Sequence, residues 1–408
     1  MREARAGLHR NVWVASATSF LTDVSSEMLQ NVLPLFLANV LGVRVWAVGV
    51  VEGVAESTAS VLKLYSGWLS DRLRARKWLA VGGYGISASA KPFYLLATSW
   101  PGVAAIRWAD RVGKGVRSAP RDALLADSVP PARRGLAFGV HRAADTAGAV
   151  VGLLATLAVV RATQGGGLTL EGATFRALVL WSLLPAFLAV LLLAAGARDV
   201  PVPAGAALAP RVSFRALGRG FGAFMVASAV FELGNSSDAF LILRAQERGL
   251  GVMGLLWMLL GFNVVYAAVS APAGSLADRV PRKRVVLGAW CVYAAVYAGF
   301  ALVQTVAHTV ILFLLYGVYQ GAVAGAAKAL VADLVPAEVR GTAYGTYHAV
   351  VGLMSLPASL LAGLLWEGFG AWGGLGPAAP FAFGAALSGV AALLLVATVP
   401  GTAPAARS

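Results

Sequence analysis

The sequence predicts an all-α polytopic membrane protein, with twelve transmembrane helices in two pseudo-symmetric six-helix bundles. Three observations carry that expectation. Apolar stretches of about 20 residues recur along the 408-residue chain, each long enough at about 1.5 Å per residue to cross a hydrocarbon core of roughly 30 Å. Charged residues make up only 13% of the chain, against about 25% in a soluble domain, which excludes an ordinary cytosolic enzyme. The chain also repeats itself at half its length. The spans must be helices, because lipid offers open backbone groups no partner and the ten-residue alternation of a membrane barrel is absent. A single cysteine, Cys291, excludes a disulfide-built domain and a thiolate metal cage.

The first span, residues 13–41, follows a basic start (Arg2, Arg5, Arg10) but is full length and carries Asp23 and Glu27, which argues against a cleavable signal peptide. The second, 46–69, sets Glu52, Glu56 and Lys63 on one face and ends in Arg72, Arg74, Arg76 and Lys77. The third, 78–99, contains Lys91. The fourth, 101–125, is the densest: Arg107, Asp110, Arg111, Lys114, Arg117 and Arg121 step by three and four, forming one charged stripe. The fifth, 135–160, follows Arg133 and Arg134 and holds His141, Arg142 and Asp145, with Gly148 and Gly152 expected to allow close helix packing. The sixth, 174–196, completes an expected N-terminal bundle of residues 1–196. Residues 197–219, with Arg198, Arg211, Arg215 and Arg219, read as a linker.

The second bundle, 220–408, is expected to span at 220–244, 251–276, 284–306, 308–332, 341–368 and 378–399. Its intramembrane charges are chiefly Glu232, Asp238, Arg244 and Lys328, while Trp257, Tyr266, Tyr293, Tyr297, Tyr316, Tyr319, Tyr344 and Tyr347 supply aromatic surface. Basic loops at Arg279, Arg282, Lys283 and Arg284, and at Arg340, fall on the same side as those of the first half. The opposite side offers only Arg44, Arg161, Arg176 and Arg248. The positive-inside rule therefore places both termini in the cytoplasm of a multi-pass inner-membrane protein. This asymmetry accounts for much of the net charge of +14 without nucleic acid.

The repeat is legible in two places. Gly67-Trp-Leu-Ser-Asp71-Arg72 returns as Gly274-Ser-Leu-Ala-Asp278-Arg279, and Ala126-Asp127-Ser-Val-Pro130 with Arg134 returns as Ala332-Asp333-Leu-Val-Pro336 with Arg340. Ser25-Ser26-Glu27 has a looser echo in Ser236-Ser237-Asp238. Two halves of one orientation are a parallel repeat.

The run from Gly67 to Lys77 resembles the G-x-L-x-D-R-x-x-R-K loop of the major facilitator superfamily, and with its copy at Gly274 the resemblance covers nearly the whole chain. Arg111-Val-Gly-Lys114-Gly115 is similar to that family's R-x-x-Q-G motif, with lysine for glutamine; Tyr319-Gln320-Gly321 in the second half keeps the glutamine. Gly139, Gly148 and Gly152 have the spacing of its antiporter motif, but Leu153 stands where that motif has proline. The longer run from Asp110 to Leu124 resembles a subgroup of prokaryotic exporters with unassigned substrates, some of whose relatives are associated with drugs, siderophores or metal ions. The resemblance implies transport and names no cargo. Gly67, Asp71 and Arg72, with Gly274, Asp278 and Arg279, are read as a cytoplasmic gate, Asp71 accepting from a helix N-terminus and pairing with arginine. Arg74 and Arg76 are read as topology anchors in the anionic leaflet.

Nine acids lie inside predicted spans: Asp23, Glu27, Glu52, Glu56, Asp110, Asp122, Asp145, Glu232 and Asp238. Charges at such depth are costly and face inward. Depth pairs Glu27 with Lys114, Asp23 with Arg117, Glu52 with Arg107 and Arg111, and Arg121 and Asp122 with His141, Arg142 and Asp145. Such a network either only neutralises itself and fixes register, or opens during transport. On the second reading Asp23, Glu27, Glu52 and Glu56 couple protons, while Arg111, Lys114 and Arg117, with Tyr316, Tyr319 and Gln320 on a shared face, contact solute. His141 with Asp145 reads as a hydrogen-bonded helix residue, and no His/Cys cluster supports a metal or other cofactor. The expectation is a monomeric, non-enzymatic, proton-coupled exporter of a small amphiphilic or anionic organic solute, in contact with membrane lipids. A divalent-metal or lipid-like substrate, or a non-transporting receptor or scaffold, are the alternatives.

Overall fold

The computed structural model describes residues 8–73, 76–130, 133–200, 217–336 and 339–400. Within them the expected spans form helices: α1 (Arg10–Gln30), α2 (Val45–Leu73), α3 (Arg76–Ala90), α4 (Trp100–Asp127), α5 (Arg134–Thr163), α6 (Gly172–Gly196), α7 (Gly218–Gly234 and Asp238–Glu247), α8 (Val252–Arg279), α9 (Arg282–Leu302), α10 (Val306–Leu334), α11 (Arg340–Glu367) and α12 (Ala379–Thr398).

Irregularities sit where the sequence breaks helical hydrogen bonding. After α1, Pro34 starts a short turn, Leu33–Leu35, that widens into a π-helical stretch, Phe36–Val40. Pro92 tightens the end of α3 into a 3-10 segment, Lys91–Leu96. The two pieces of α7 part at Asn235–Ser237, where the Ser237 side chain caps the second piece by accepting from Ala239 N at 3.3 Å.

Nine helices among the described residues are long and apolar enough to cross a membrane. The other three are α1, α3 and α4, and each has a physical reason. The buried side of α1 is largely polar (Asn11, Ser16, Thr18, Ser19, Thr22, Ser25). Only 15 residues of α3 are α-helical before its 3-10 end, and α4 carries the charged stripe. Elsewhere the apolar side chains face out, as lipid contact requires: Leu184 and Leu191 of α6 are 67% and 65% exposed.

Contacts group the chain into two units: residues 1–41, 58–166 and 170–210, and residues 42–57, 167–169 and 211–408. In the first, α1 packs on α5 and α6, and α3 packs on α4. The second repeats this scheme, with α7 on α11 and α12, and α9 on α10. Close glycine contacts repeat too. A Cβ at Gly115 of α4 would lie 2.6 Å from Leu62 Cβ and 3.0 Å from Ala59 O of α2; one at Gly321 of α10 would lie 2.9 Å from Tyr266 O and 3.1 Å from Val269 Cβ of α8.

The boundary departs from the expected residue 196 in one consequential place. The first half of α2 groups with the second unit, because Gly49 and Gly53 meet Ser359 and Leu356 of α11 and Ser57 Oγ donates to Gly352 O at 2.7 Å. Glu52 and Glu56 therefore stand in the second unit. Most of the expected linker, residues 201–216, lies outside the described residues.

Candidate functional site

The first unit concentrates cations on α4. Arg107, Asp110, Arg111 and Arg117 are buried there, as is Lys91 at the end of α3. Small residues make this possible: Gly113 of α4 approaches Gly83 O of α3 so closely that a Cβ would come within 2.5 Å. Each buried charge is then met by neighbours, as a low-dielectric site demands. Asp110 Oδ2 lies 3.2 Å from Arg111 Nε. Arg117 Nη1 donates to Ser87 Oγ at 2.8 Å, Ser87 Oγ donates to the Asp110 carbonyl at 2.9 Å, and the guanidinium lies 4.5 Å over the Tyr84 ring.

Ser19 of α1 ties three other helices together. Its Oγ accepts from Arg121 Nη1 at 3.2 Å and lies 2.9 Å from His141 Nε2 and 3.2 Å from Tyr84 Oη. Arg121 also donates from Nε and Nη2 to Asp122 at 2.9 and 2.8 Å. On its other side His141 Nδ1 faces Asp145 at 3.4 Å. With a neutral His141 whose Nδ1–H faces Asp145, Ser19 gives its one proton to Nε2 and accepts from Arg121 and Tyr84. His141 thus sits in the hydrogen-bonded role expected of it. No group of three His, Cys, Asp or Glu side chains that could hold a metal occurs among the described residues.

The depth pairings expected of Asp23 and Glu27 are recovered within this unit. Asp23 is faced by Arg117, Lys114, Arg121 and Lys91, and Glu27 by Lys114 and Arg111. Gly148 and Gly152 bring α5 against both acids, a Cβ at each falling 3.1 Å from Asp23 Cβ and 2.8 Å from Glu27 Cβ. The Glu27 carboxylate also accepts from the amides of Gln30 and Asn31, the latter at 2.6 Å. Lys91 is the residue that sequence reasoning undervalues. Its Nζ donates to Ser25 and Ser26, and with Arg107, Asp110 and Arg111 it lines a small recess beside Gln30 and Tyr94. The available signal is a lone intramembrane lysine facing the Ser25-Ser26 doublet.

The second unit has different chemistry at the equivalent places. On α10, Tyr316 Oη donates to Asp238 Oδ1 at 2.8 Å and accepts from Gln320 Nε2 at 3.0 Å. Tyr319 lies beside Tyr316, with ring centroids 5.5 Å apart. The three α10 residues predicted to contact solute therefore adjoin an acid, Asp238, for which the sequence suggests no role. Glu56 and Glu52 face the same carboxylate. Glu232 accepts from Asn235 Nδ2 at 2.9 Å.

At the end bearing the basic loops, a Cβ at Gly67 would lie 3.4 Å from Ala119 Cβ of α4, whereas one at Gly274 would meet open space. Arg72 and Arg279 are exposed, Arg72 lying 5.3 Å over Trp68. The side chains of Asp71 and Asp278, central to the expected gate, and Arg74 lie outside the described residues. The ties visible here come from the other repeated motif. Arg76 pairs with Asp127 in the first unit and Arg282 with Asp333 in the second, while Arg134 Nε reaches Ala126 O and Arg340 Nε reaches Ala332 O, at 3.2 and 3.3 Å. Arg76 is thus more than a topology anchor, since it joins α3 to the end of α4.

Comparison with known proteins agrees with this architecture. A family model described as the Major Facilitator Superfamily matches residues 15–243 and again 220–408. The chain is 35% identical over 395 residues, 95% of each chain, to an uncharacterised transporter of that type from Methanocaldococcus jannaschii. It is 30% identical to an uncharacterised protein of Mycobacterium bovis, over 88% of this chain and 87% of that one. Among solved structures, the fold is similar to a bacterial homolog of the human lysosomal transporter Spinster (TM-score 0.71, 17% identity, 95% of both chains). It is also similar to a D-xylose-proton symporter (TM-score 0.73, 15% identity, 96% and 98%).

Proposed function

The chain belongs to the major facilitator superfamily and is a multi-pass membrane transporter, and on that premise we propose that it exports a small amphiphilic or anionic organic solute in exchange for protons. The single observation that carries the proposal is the buried cationic lining of the first unit, set against the acids Asp23 and Glu27. Ionisable groups at such depth are functional by default. Arg111, Lys114 and Arg117 offer an anionic group charge-assisted hydrogen bonds, and Tyr316, Tyr319 and Gln320 supply aromatic and amide contacts in the second unit. Asp23 and Glu27 are the coupling acids, with Glu52 and Glu56 contributing from the second. A proton arriving on Asp23 weakens its hold on Arg117, which links proton entry to the solute's cationic contacts.

In this reading the monomer works by alternating access in the inner membrane, with both termini cytoplasmic. Its inner gate lies at Gly67, Asp71 and Arg72 and at Gly274, Asp278 and Arg279. The test is purified chain in proteoliposomes, scored for pH-gradient-driven movement of an anionic sulfonate dye against counterflow without a gradient. Asp23→Asn and Glu27→Gln should lower gradient-driven transport by about a hundredfold, the loss of about two to three kilocalories of coupling, and leave counterflow largely intact. Full gradient-driven transport by both variants would refute the assignment of the coupling acids.

A further inference from the structure

Asp238 opens the second piece of α7, inside a stretch long and apolar enough to span a membrane, yet its side chain is solvent-exposed. A carboxylate at such depth faces the protein interior and not lipid. The charged groups that face it among the described residues, Glu56 and Glu52, are acidic as well. One of its oxygens is fixed by the Tyr316 hydroxyl, itself held by Gln320.

A second observation is independent of the acids. Tyr297 Oη belongs to a side chain that is fully buried and Ser236 Oγ to one that is 6% exposed, and neither atom completes a hydrogen bond. The two hydroxyls neighbour each other, and Tyr297 Oη also neighbours Tyr293 and lies in the field of Asp238. Buried hydroxyls without partners are uncommon in native proteins and mark a place where something else supplies them. The Tyr297 ring stacks on Tyr293 with centroids 4.0 Å apart, so its hydroxyl has little freedom to turn elsewhere.

We propose that this part of the second unit binds the protonated amine of a small organic molecule. The ammonium lies against Asp238, with Glu56 and Glu52 adding negative field, and directs its N–H groups to Tyr297 Oη and Ser236 Oγ. The carboxylates select for positive charge. The hydroxyls select for N–H donors, so the site distinguishes a primary amine from a quaternary ammonium of equal charge. This goes beyond the transport reading and does not depend on it, since binding is measured without a gradient.

The experiment is calorimetric titration of the purified full-length chain with benzylamine and with benzyltrimethylammonium at neutral pH. Benzylamine should bind at least about tenfold more tightly, the discrimination expected when a charged donor loses its hydrogen bonds. Asp238→Asn should weaken benzylamine by about tenfold or more. Ser236→Ala, a small change in a packed site, should weaken benzylamine about two- to tenfold and leave benzyltrimethylammonium unchanged, which separates recognition from loss of fold. Equal affinity for the two cations, displacement of benzylamine by sodium alone at equal concentration, or benzylamine binding unaltered in both variants would overturn the proposal.

Discussion

The helices α4 and α10 hold equivalent places in the two halves and make the same backbone contacts with opposite side-chain chemistry. At an offset of 206 residues, Arg107, Asp110, Arg111, Lys114, Arg117 and Arg121 correspond to Phe313, Tyr316, Gly317, Gln320, Val323 and Ala327. The close approach at Gly115 and Gly321 is kept, as are the end pairs Arg76–Asp127 and Arg282–Asp333. The fold of a half therefore needs small residues where helices cross and an ion pair at the helix ends. The stripe that faces inward is free to diverge, and its divergence is where the two halves acquire separate tasks.

This comparison can be broken most forcefully at Arg117. Replacing it with leucine removes the donor to Ser87 Oγ and one of the cations that face Asp23, and breaking a buried charged contact costs about 3–5 kcal/mol. Val323→Leu at the counterpart is a near-conservative apolar change costing under about 1.5 kcal/mol. Apparent melting temperatures of the two purified variants should differ accordingly, and equal shifts would mean that the stripe is structurally idle. The shared packing is tested by Gly115→Ala and Gly321→Ala. Each places a Cβ within 3 Å of a neighbouring helix and should destabilise by about 1–3 kcal/mol; a loss confined to one half would show that the crossings are not equivalent. The smallest effect is expected from Arg76→Ala and Arg282→Ala. Both pairs are partly exposed, so each removal should cost at most about 1 kcal/mol, with similar melting shifts and a greater loss at low salt than at high salt.

Much of the first unit is legible in the sequence. Depth along antiparallel helices brings Asp23 toward Arg117 and Glu27 toward Lys114, because a membrane forces residues into common layers and about 1.5 Å per residue then sets their height. The glycines of α5 read as packing residues, and they are what bring that helix against both acids. Layering gives height but not the direction a side chain faces around its helix axis. Thus Lys91 reads as a charge without its serine partners, Arg76 reads as an anchor although Asp127 stands in a repeated motif, and Asp238 reads as an acid without its bond to Tyr316. The grouping of Glu52 and Glu56 with the second unit is hidden for a related reason. It depends on the first half of α2 meeting α11 through Gly49 and Gly53, a contact made between segments about 300 residues apart in the chain.

The sequence alone determined that this is an all-helical multi-pass membrane protein, that its second half repeats motifs of its first, and that its charges are concentrated in the first half. Hydropathy, helix length and motif spacing are local properties, additive along the chain, and lipid leaves the backbone no alternative to helices. The tertiary structure decided which charges meet. It gathered Ser19, His141, Arg121 and Tyr84 from four helices, and set Asp238 against Tyr316 while Glu56 entered from α2. Those choices follow from helix rotation and close crossing, which depend on packing between segments far apart in sequence.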